Sequence, residues 1–332
     1  MKHSPLDFAR RLKSGTFEKW KIVKDFIWFA RKQFLYNASL STDRDISKMR
    51  YTILRENHVI EKGMSMRNTK EGFGTQKVSA LLGRLHKYYA LYGGQDLAFL
   101  YYPLSTIGEY IRYTHGHSTV DITAIEQAYK DLCGKCGTFE AIDAGITNVT
   151  ATGIKQQANG DFKSLLFSRH SIRYFKKQEP DADKLNKALE LAQRTPSACN
   201  RQGWLTHVYV GDDCYKLLEW QGGARGFERD IHACILVTAN IKAFLSYEVY
   251  QAYIDGGMYA MNLINSLHFV GFGTIPLSCG FHSDKLSKLK QFNISENEVP
   301  IVIVGFGELY DEFKIAISTR KDVSKTNKFE KL

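Results

Sequence analysis

Two short segments concentrate groups that could grip an anion and read a planar, hydrogen-bonding ligand. Arg169-His170-Ser171-Ile172-Arg173 sets two guanidiniums, an imidazole and a hydroxyl within five residues. Guanidinium forks match phosphate oxygens in pairs, and each charge-assisted bond is worth about 1.5–3 kcal/mol once water is excluded. Taken alone, the cluster reads first as a basic strand edge. Further on, Thr195-Pro196-Ser197-Ala198-Cys199-Asn200-Arg201-Gln202-Gly203-Trp204 places hydroxyl and amide groups between a helical pattern and a strand pattern. Polar side chains at element ends are well placed to meet a small-molecule ligand.

Two weaker clusters lie upstream. His58 and Glu61 stand three apart on one helical face and could orient a proton donor; a satisfied structural pair is the other reading. Cys133-Gly134-Lys135-Cys136 is a lone CxxC with His115 and His117 before it. A second ligand pair at zinc-finger spacing is missing, so no metal is expected, with zinc, a redox pair and two plain thiols as the readings left open.

Elements that would position these groups follow from hydrophobic period. Phe17, Trp20, Val23, Ile27, Ala30 and Phe34 recur at spacings of three and four among lysines and arginines, which predicts an amphipathic helix over 17–36. Such a face either packs on the protein's own body or lies in a membrane interface. Further helices are expected over 44–66, 76–92, 96–113 and 121–133, with breaks at Gly72-Phe73-Gly74 and Gly93-Gly94. Residues 134–160, rich in Gly, Thr, Asn and Gln, read as a linker that divides the chain into 1–160 and 161–332.

The second part alternates. Asp181 or Asp183 can cap a helix running to Arg194. Strands are expected at Trp204–Val210, Cys234–Ala239 and Pro300–Phe306, with a long helix at Gln251–Phe269. The resulting class is α+β, preceded by a mostly helical N-terminal domain.

Composition bounds the function classes. The chain has 332 residues, 44% hydrophobic and 24% charged, with only 6 prolines, which excludes disordered and collagen-like chains. The N-terminus lacks an apolar signal core and no window matches a spanning helix, so a cytoplasmic protein is expected, with a peripheral seat at the inner membrane as the variant. Its 6 cysteines are too scattered for a disulfide scaffold. The formal charge is +10, and residues 1–70 hold 16 basic against 7 acidic side chains. That excess suits a solvated helical face, an anionic membrane surface contacted through residues 1–40, or nucleic acid. No base-reading motif accompanies it, so no nucleic-acid partner is expected.

The paired motifs resemble the nitroreductase family of flavoenzymes. The family pattern is Arg-x-Ser-x-Arg/Lys followed by Pro-Ser-x-x-Asn-x-Gln-Pro-Trp, and both stand here in order. Asp255-Gly256-Gly257 with Asn262, the Gly271-Phe272-Gly273-Thr274 turn, Gly305-Phe306-Gly307 and Arg320 extend the match over about 165–325. The resemblance implies a three-layer fold with a central mixed sheet, FMN as cofactor and NAD(P)H as reductant. It implies that Arg169, Ser171, Arg173 and Arg320 hold the FMN phosphate, with His170 beside it. Pro196, Ser197, Asn200 and Gln202 would meet the ribityl chain and ring edge of a flavin held mainly by the other chain of a homodimer. Pro276–Gly280, with Leu277 and Ser278, would run along the reactive nitrogen.

The expected activity is therefore ping-pong reduction of a small organic acceptor. Leu54–Met66 with Gly72-Phe73-Gly74 resembles the leader of long nitroreductase-like proteins from bacterial surface-polysaccharide clusters, so polysaccharide biosynthesis is the expected setting. The alternative is a non-catalytic component of such an assembly system. Two departures stand out: Gly203 replaces the family proline, which is expected to loosen the turn, and the stretch from Val210 to Asp255 is short.

Overall fold

The computed structural model describes residues 19–20, 23–24, 26–27, 30, 45–138, 142–244 and 248–328. Contacts divide the chain into two units, Met1–Leu35 with Thr150–Glu312, and Tyr36–Val149 with Phe313–Leu332. The predicted helix over 17–36 lies for the most part outside the described residues, although Lys19, Trp20, Val23, Lys24, Phe26, Ile27 and Ala30 are helical. Among the described residues no helix is long and apolar enough to cross a membrane.

The helical unit is built from α1 (Ile46–Met64), α2 (Thr75–Asp96), α3 (Tyr101–His117) and α4 (Thr123–Cys136). Met49, Ile53, Ile60 and Met64 recur on one face of α1 and are fully buried against Leu81, Leu85 and Leu104. Helix α2 continues through Gly93-Gly94, where a break was predicted. The Tyr89 ring lies 2.9 Å from where a Gly93 Cβ would stand, so this glycine admits an aromatic ring onto the helix rather than ending it. The helix closes at Asp96, which accepts from Arg50 Nε at 2.7 Å.

The stretch 134–160 is not a linker throughout. It contains β1 (Ile146–Thr150) and α5 (Ala151–Ala158). The partner of β1 is Glu312–Ala316, far along the chain, a pairing that local composition cannot register. Thr150 ends the strand and caps α5, accepting from Gly153 N at 3.1 Å. The tail from Phe313 thus groups with the helical unit, whereas the sequence assigned it to the second domain.

The other unit runs α6 (Phe162–Ser168), α7 (Ala182–Ala192), β2 (Trp204–Val210), α8 (Gly211–Gln221), β3 (Ala233–Asn240), α9 (Gln251–Phe269), β4 (Gly273–Ser278) and β5 (Glu298–Gly307). The sheet has order β2-β3-β5-β4 with antiparallel neighbours. A parallel bridge between Ser171 and Thr274 gives it mixed character. Ala233, Ile235 and Val237 pack with Tyr259, Leu263 and Leu267 of α9, while Cys234 on the opposite face meets Cys214 of α8. A strand covered on both faces is apolar at every position, which is why β3 reads as one continuous run.

Helix α9 and β2 have the predicted bounds, and Asp181 is the cap of α7, accepting from Asp183 N and Lys184 N. Strand β4 was not predicted. Its first residues fall in the turn expected at Gly271-Phe272-Gly273-Thr274, and Pro276 is accommodated because β4 lies at the end of the strand order, where a proline removes no ladder bond.

Candidate functional site

Asp161 caps α6 by accepting from Ser164 N at 2.8 Å, and the helix ends at Ser168 so that Arg169 enters extended backbone. The cationic segment then pairs with β4, Ile172 N donating to Thr274 O at 2.9 Å. Arg169, His170 and Ser171 are half-buried. Arg173 is buried, and its Nη1 donates to Ser171 O at 3.3 Å. The two guanidiniums therefore differ in burial: Arg169 is half-buried, whereas Arg173 lies inside with Nη1 on the segment's own backbone.

Sequence reasoning missed His268. In the last turn of α9 it is buried, with Nε2 2.8 Å from Ser168 Oγ. Burial first, and then the charges of Arg169 and His170, lower its pKa to about 4. The imidazole is neutral at ordinary pH, and the positive field it senses is the field an anion would neutralise.

The loop after α7 is strained. Cys199, Asn200 and Gln202 have φ of 50°, 54° and 49°, a left-handed region that costs non-glycine residues on the order of 1–3 kcal/mol each and persists only where surroundings over-determine it. Ser197 Oγ accepts from Gln202 N at 2.9 Å, and buried Asp255 accepts from Ala198 N at 3.1 Å. Asn262 donates to Thr195 Oγ1 at 2.7 Å. Asp255 and Asn262, recognised from sequence only as motif members, therefore seat this loop on α9. Gln202 Nε2 donates to Asn200 O at 3.3 Å and Oδ1 at 3.2 Å, which leaves Asn200 Nδ2 and Gln202 Oε1 as an outward donor and acceptor. Pro196 is exposed at the loop entrance.

Gly203 does not loosen the turn. A Cβ there would stand 2.9 Å from Ala243 Cβ and 3.0 Å from the Phe244 ring, and Gly203 O accepts from Asn240 N at 2.7 Å. Glycine is present because the 241–244 segment occupies the space that a proline ring needs.

At the far end of β4, Leu277 is buried and Ser278 exposed, and Ser278 O accepts from Gln221 Nε2 at 3.0 Å. Burial pushes the adjacent Cys279 thiol up to about 12, so it offers no thiolate.

The remaining candidates lie in the helical unit. Arg320 donates to Ser318 O. His58 is exposed, but Glu61 is fully buried, accepting from Gly145 N at 3.1 Å and from Tyr102 OH at 2.9 Å. The Glu61 carboxylate thus holds backbone in place. Burial raises the pKa of both Cys133 and Cys136. Among the described residues no group of three or more His, Cys, Asp or Glu side chains is arranged for a metal ion.

Among curated proteins, none matches the chain. Solved structures similar to it include a Clostridium acetobutylicum protein assigned as an NADH oxidase, at 24% identity and TM-score 0.44, covering 51% of this chain and 99% of that one. An Exiguobacterium sibiricum protein assigned as a nitroreductase and solved with FMN aligns at 17% identity and TM-score 0.44, covering 52% and 98%. A nitroreductase family protein of Clostridium difficile aligns at 20% identity and TM-score 0.43, covering 52% and 100%. The model of the nitroreductase family matches residues 166–224, the span that holds the cationic segment, the strained loop, β2 and α8.

Proposed function

We propose that the protein is an FMN-dependent oxidoreductase that draws reducing equivalents from NADH or NADPH and passes them to a small organic acceptor in a ping-pong cycle. The observation that carries this reading is the Ser171–Thr274 pairing. It sets the cationic segment beside the start of β4, whose other end, about 13 Å away at strand rise, carries Leu277 and Ser278. A phosphate at one end and a ring system at the other suit that interval.

The residues present fit FMN. Arg169 and His170 offer cationic donors to a phosphate, and the outward Asn200 Nδ2 and Gln202 Oε1 match the alternating carbonyl and N–H edge of an isoalloxazine. When bound, FMN supplies the two-electron chemistry. The chain's own residues bind the anion, orient the ring and exclude water, and no side chain is needed as a nucleophile.

A homodimer completes the reading. Asp255 anchors the strained loop and His268 anchors the cationic segment at positions about 20 Å apart along one helix, so the two clusters of one chain serve different flavins. Tyr253, Ile254, Met258 and Met261 on α9 are 51%, 51%, 44% and 42% exposed, an apolar face suited to a second copy. Trp20, Val23, Phe26 and Ile27 are exposed beside Lys19 and Lys24, which suits a peripheral contact with an anionic membrane. Vesicle sedimentation with and without residues 1–40 tests that contact.

The test of the activity is optical. The purified full chain is expected to be yellow, or to become so with added FMN, and to bleach when NADH or NADPH is added without oxygen. A colourless protein that takes up no FMN would overturn the reading.

A further inference from the structure

Arg201 occupies a position that the family pattern leaves open, and Glu248 lies in no motif. We propose that their ion pair is the positioning element that holds Asn200 and Gln202 in the conformation that reads the flavin edge, an inference that rests on the FMN reading above. Arg201 sits between these two residues and uses three of its nitrogens. Nε donates to Ala198 O at 2.9 Å, Nη1 to Glu248 Oε2 at 2.7 Å and Nη2 to Glu248 Oε1 at 2.7 Å. The pair is mostly enclosed, with side-chain exposures of 23% and 16%. The guanidinium also lies 5.3 Å from the centre of the Phe244 ring, the ring that fills the space beside Gly203.

The physical need is clear from the backbone. Asn200 and Gln202 both adopt left-handed φ, and bonds within the loop, such as Asn200 N to Ser197 O at 3.0 Å, fix its shape without fixing its place. Asp255 ties down its entrance through Ala198 N. The Arg201–Glu248 fork ties down its centre, and the hydrogen bond from Asn240 N to Gly203 O at 2.7 Å ties down its exit. Gln202 therefore lies between two residues that are both held, Arg201 by Glu248 and Gly203 by Asn240. A bidentate fork fixes orientation as well as distance, which a lysine ammonium cannot do.

The pair acts through Asn200 and Gln202, so its loss should alter how FMN is held without unfolding the protein. The experiment titrates FMN into full-length wild type, Arg201→Lys, Glu248→Gln and the charge-swapped double variant Arg201→Glu/Glu248→Arg. Flavin fluorescence gives affinity, the absorption spectrum of bound FMN reports the ring environment, and the melting temperature of the flavin-free protein reports folding. Each single variant is expected to melt near wild type, to bind FMN about tenfold or more weakly, and to give a bound spectrum closer to that of free FMN. The swap is expected to recover part of both. Single variants with wild-type affinity and spectrum would overturn the positioning role. If Glu248→Gln fails to fold, Arg201→Lys, which keeps the charge, decides. A wild type that binds no FMN would instead bring down the flavin reading, and this inference with it.

Discussion

His268 Nε2 lies 2.8 Å from Ser168 Oγ, so the last turn of the long helix is fastened to the residue immediately before the cationic segment. One helix thereby holds both clusters, through Asp255 near its start and His268 near its end.

A pH dependence follows from that contact. Burial, with Arg169 and His170, lowers the His268 pKa to about 4, whereas an unfolded histidine titrates near 6.5. Between those values the unfolded chain binds more protons. The contribution is fully present above pH ~6.5 and is lost as pH falls toward 4, on the order of 3 kcal/mol in all. Urea unfolding from pH 4 to 8 should show wild type losing stability across this window more steeply than His268→Gln. Parallel curves would show that the imidazole is not the group responsible.

Gly203 yields a prediction opposite to the one the nitroreductase sequence pattern suggests. Placing the proline of that pattern here with Gly203→Pro should destabilise the protein by roughly 1–3 kcal/mol, as overpacking does, because Ala243 and Phe244 already stand at 2.9 and 3.0 Å from the added carbon. Thermal melts of Gly203→Pro, alone and with Phe244→Ala, check this. The second change should return part of the loss, and a Gly203→Pro protein that melts at or above wild type would count against the packing account.

What was legible in the sequence depended on how local its cause was. Strand β3 is buried on both faces and so announces itself as an apolar run, and the motifs at Arg169 and Ser197 mark their own loops. Strand β1 was invisible because its partner lies beyond residue 310. Arg169 and Arg173 look equivalent in sequence, yet one is half-buried at the site and the other points inward; alternation along an irregular segment could not tell them apart. Glu248 stands 47 positions from Arg201 with no pattern linking the two.

Glu61 separates a structural carboxylate from a catalytic one. Its oxygens accept from Gly145 N and Tyr102 OH in a fully buried setting. Glu61→Gln replaces one acceptor oxygen with a donor, so that Tyr102 OH must accept where it now donates and its own proton must find another partner, and should cost about 1–3 kcal/mol. His58→Ala, at an exposed position, should stay within about 0.5 kcal/mol of wild type. Chemical denaturation of the two variants measures both. A Glu61→Gln protein as stable as wild type would remove the carboxylate from the fold's support.

The two arginines of the cationic segment should separate by ligand. Arg169 is half-buried at the end of α6, and as a phosphate ligand it would supply a charge-assisted contact worth about 1.5–3 kcal/mol, so Arg169→Gln should weaken FMN roughly 10- to 150-fold. Riboflavin has the same ring and ribityl chain without the phosphate, so its affinity should change by less than about twofold, well under the 1.4 kcal/mol that a tenfold effect requires. Arg173 instead donates to Ser171 O from a buried position, and Arg173→Gln should lower the melting temperature and weaken both ligands together. Parallel titrations of FMN and riboflavin into each variant test the division. If Arg169→Gln weakened both ligands equally, the guanidinium would be supporting the backbone and not a phosphate, and the anion site would have to be sought elsewhere on the segment.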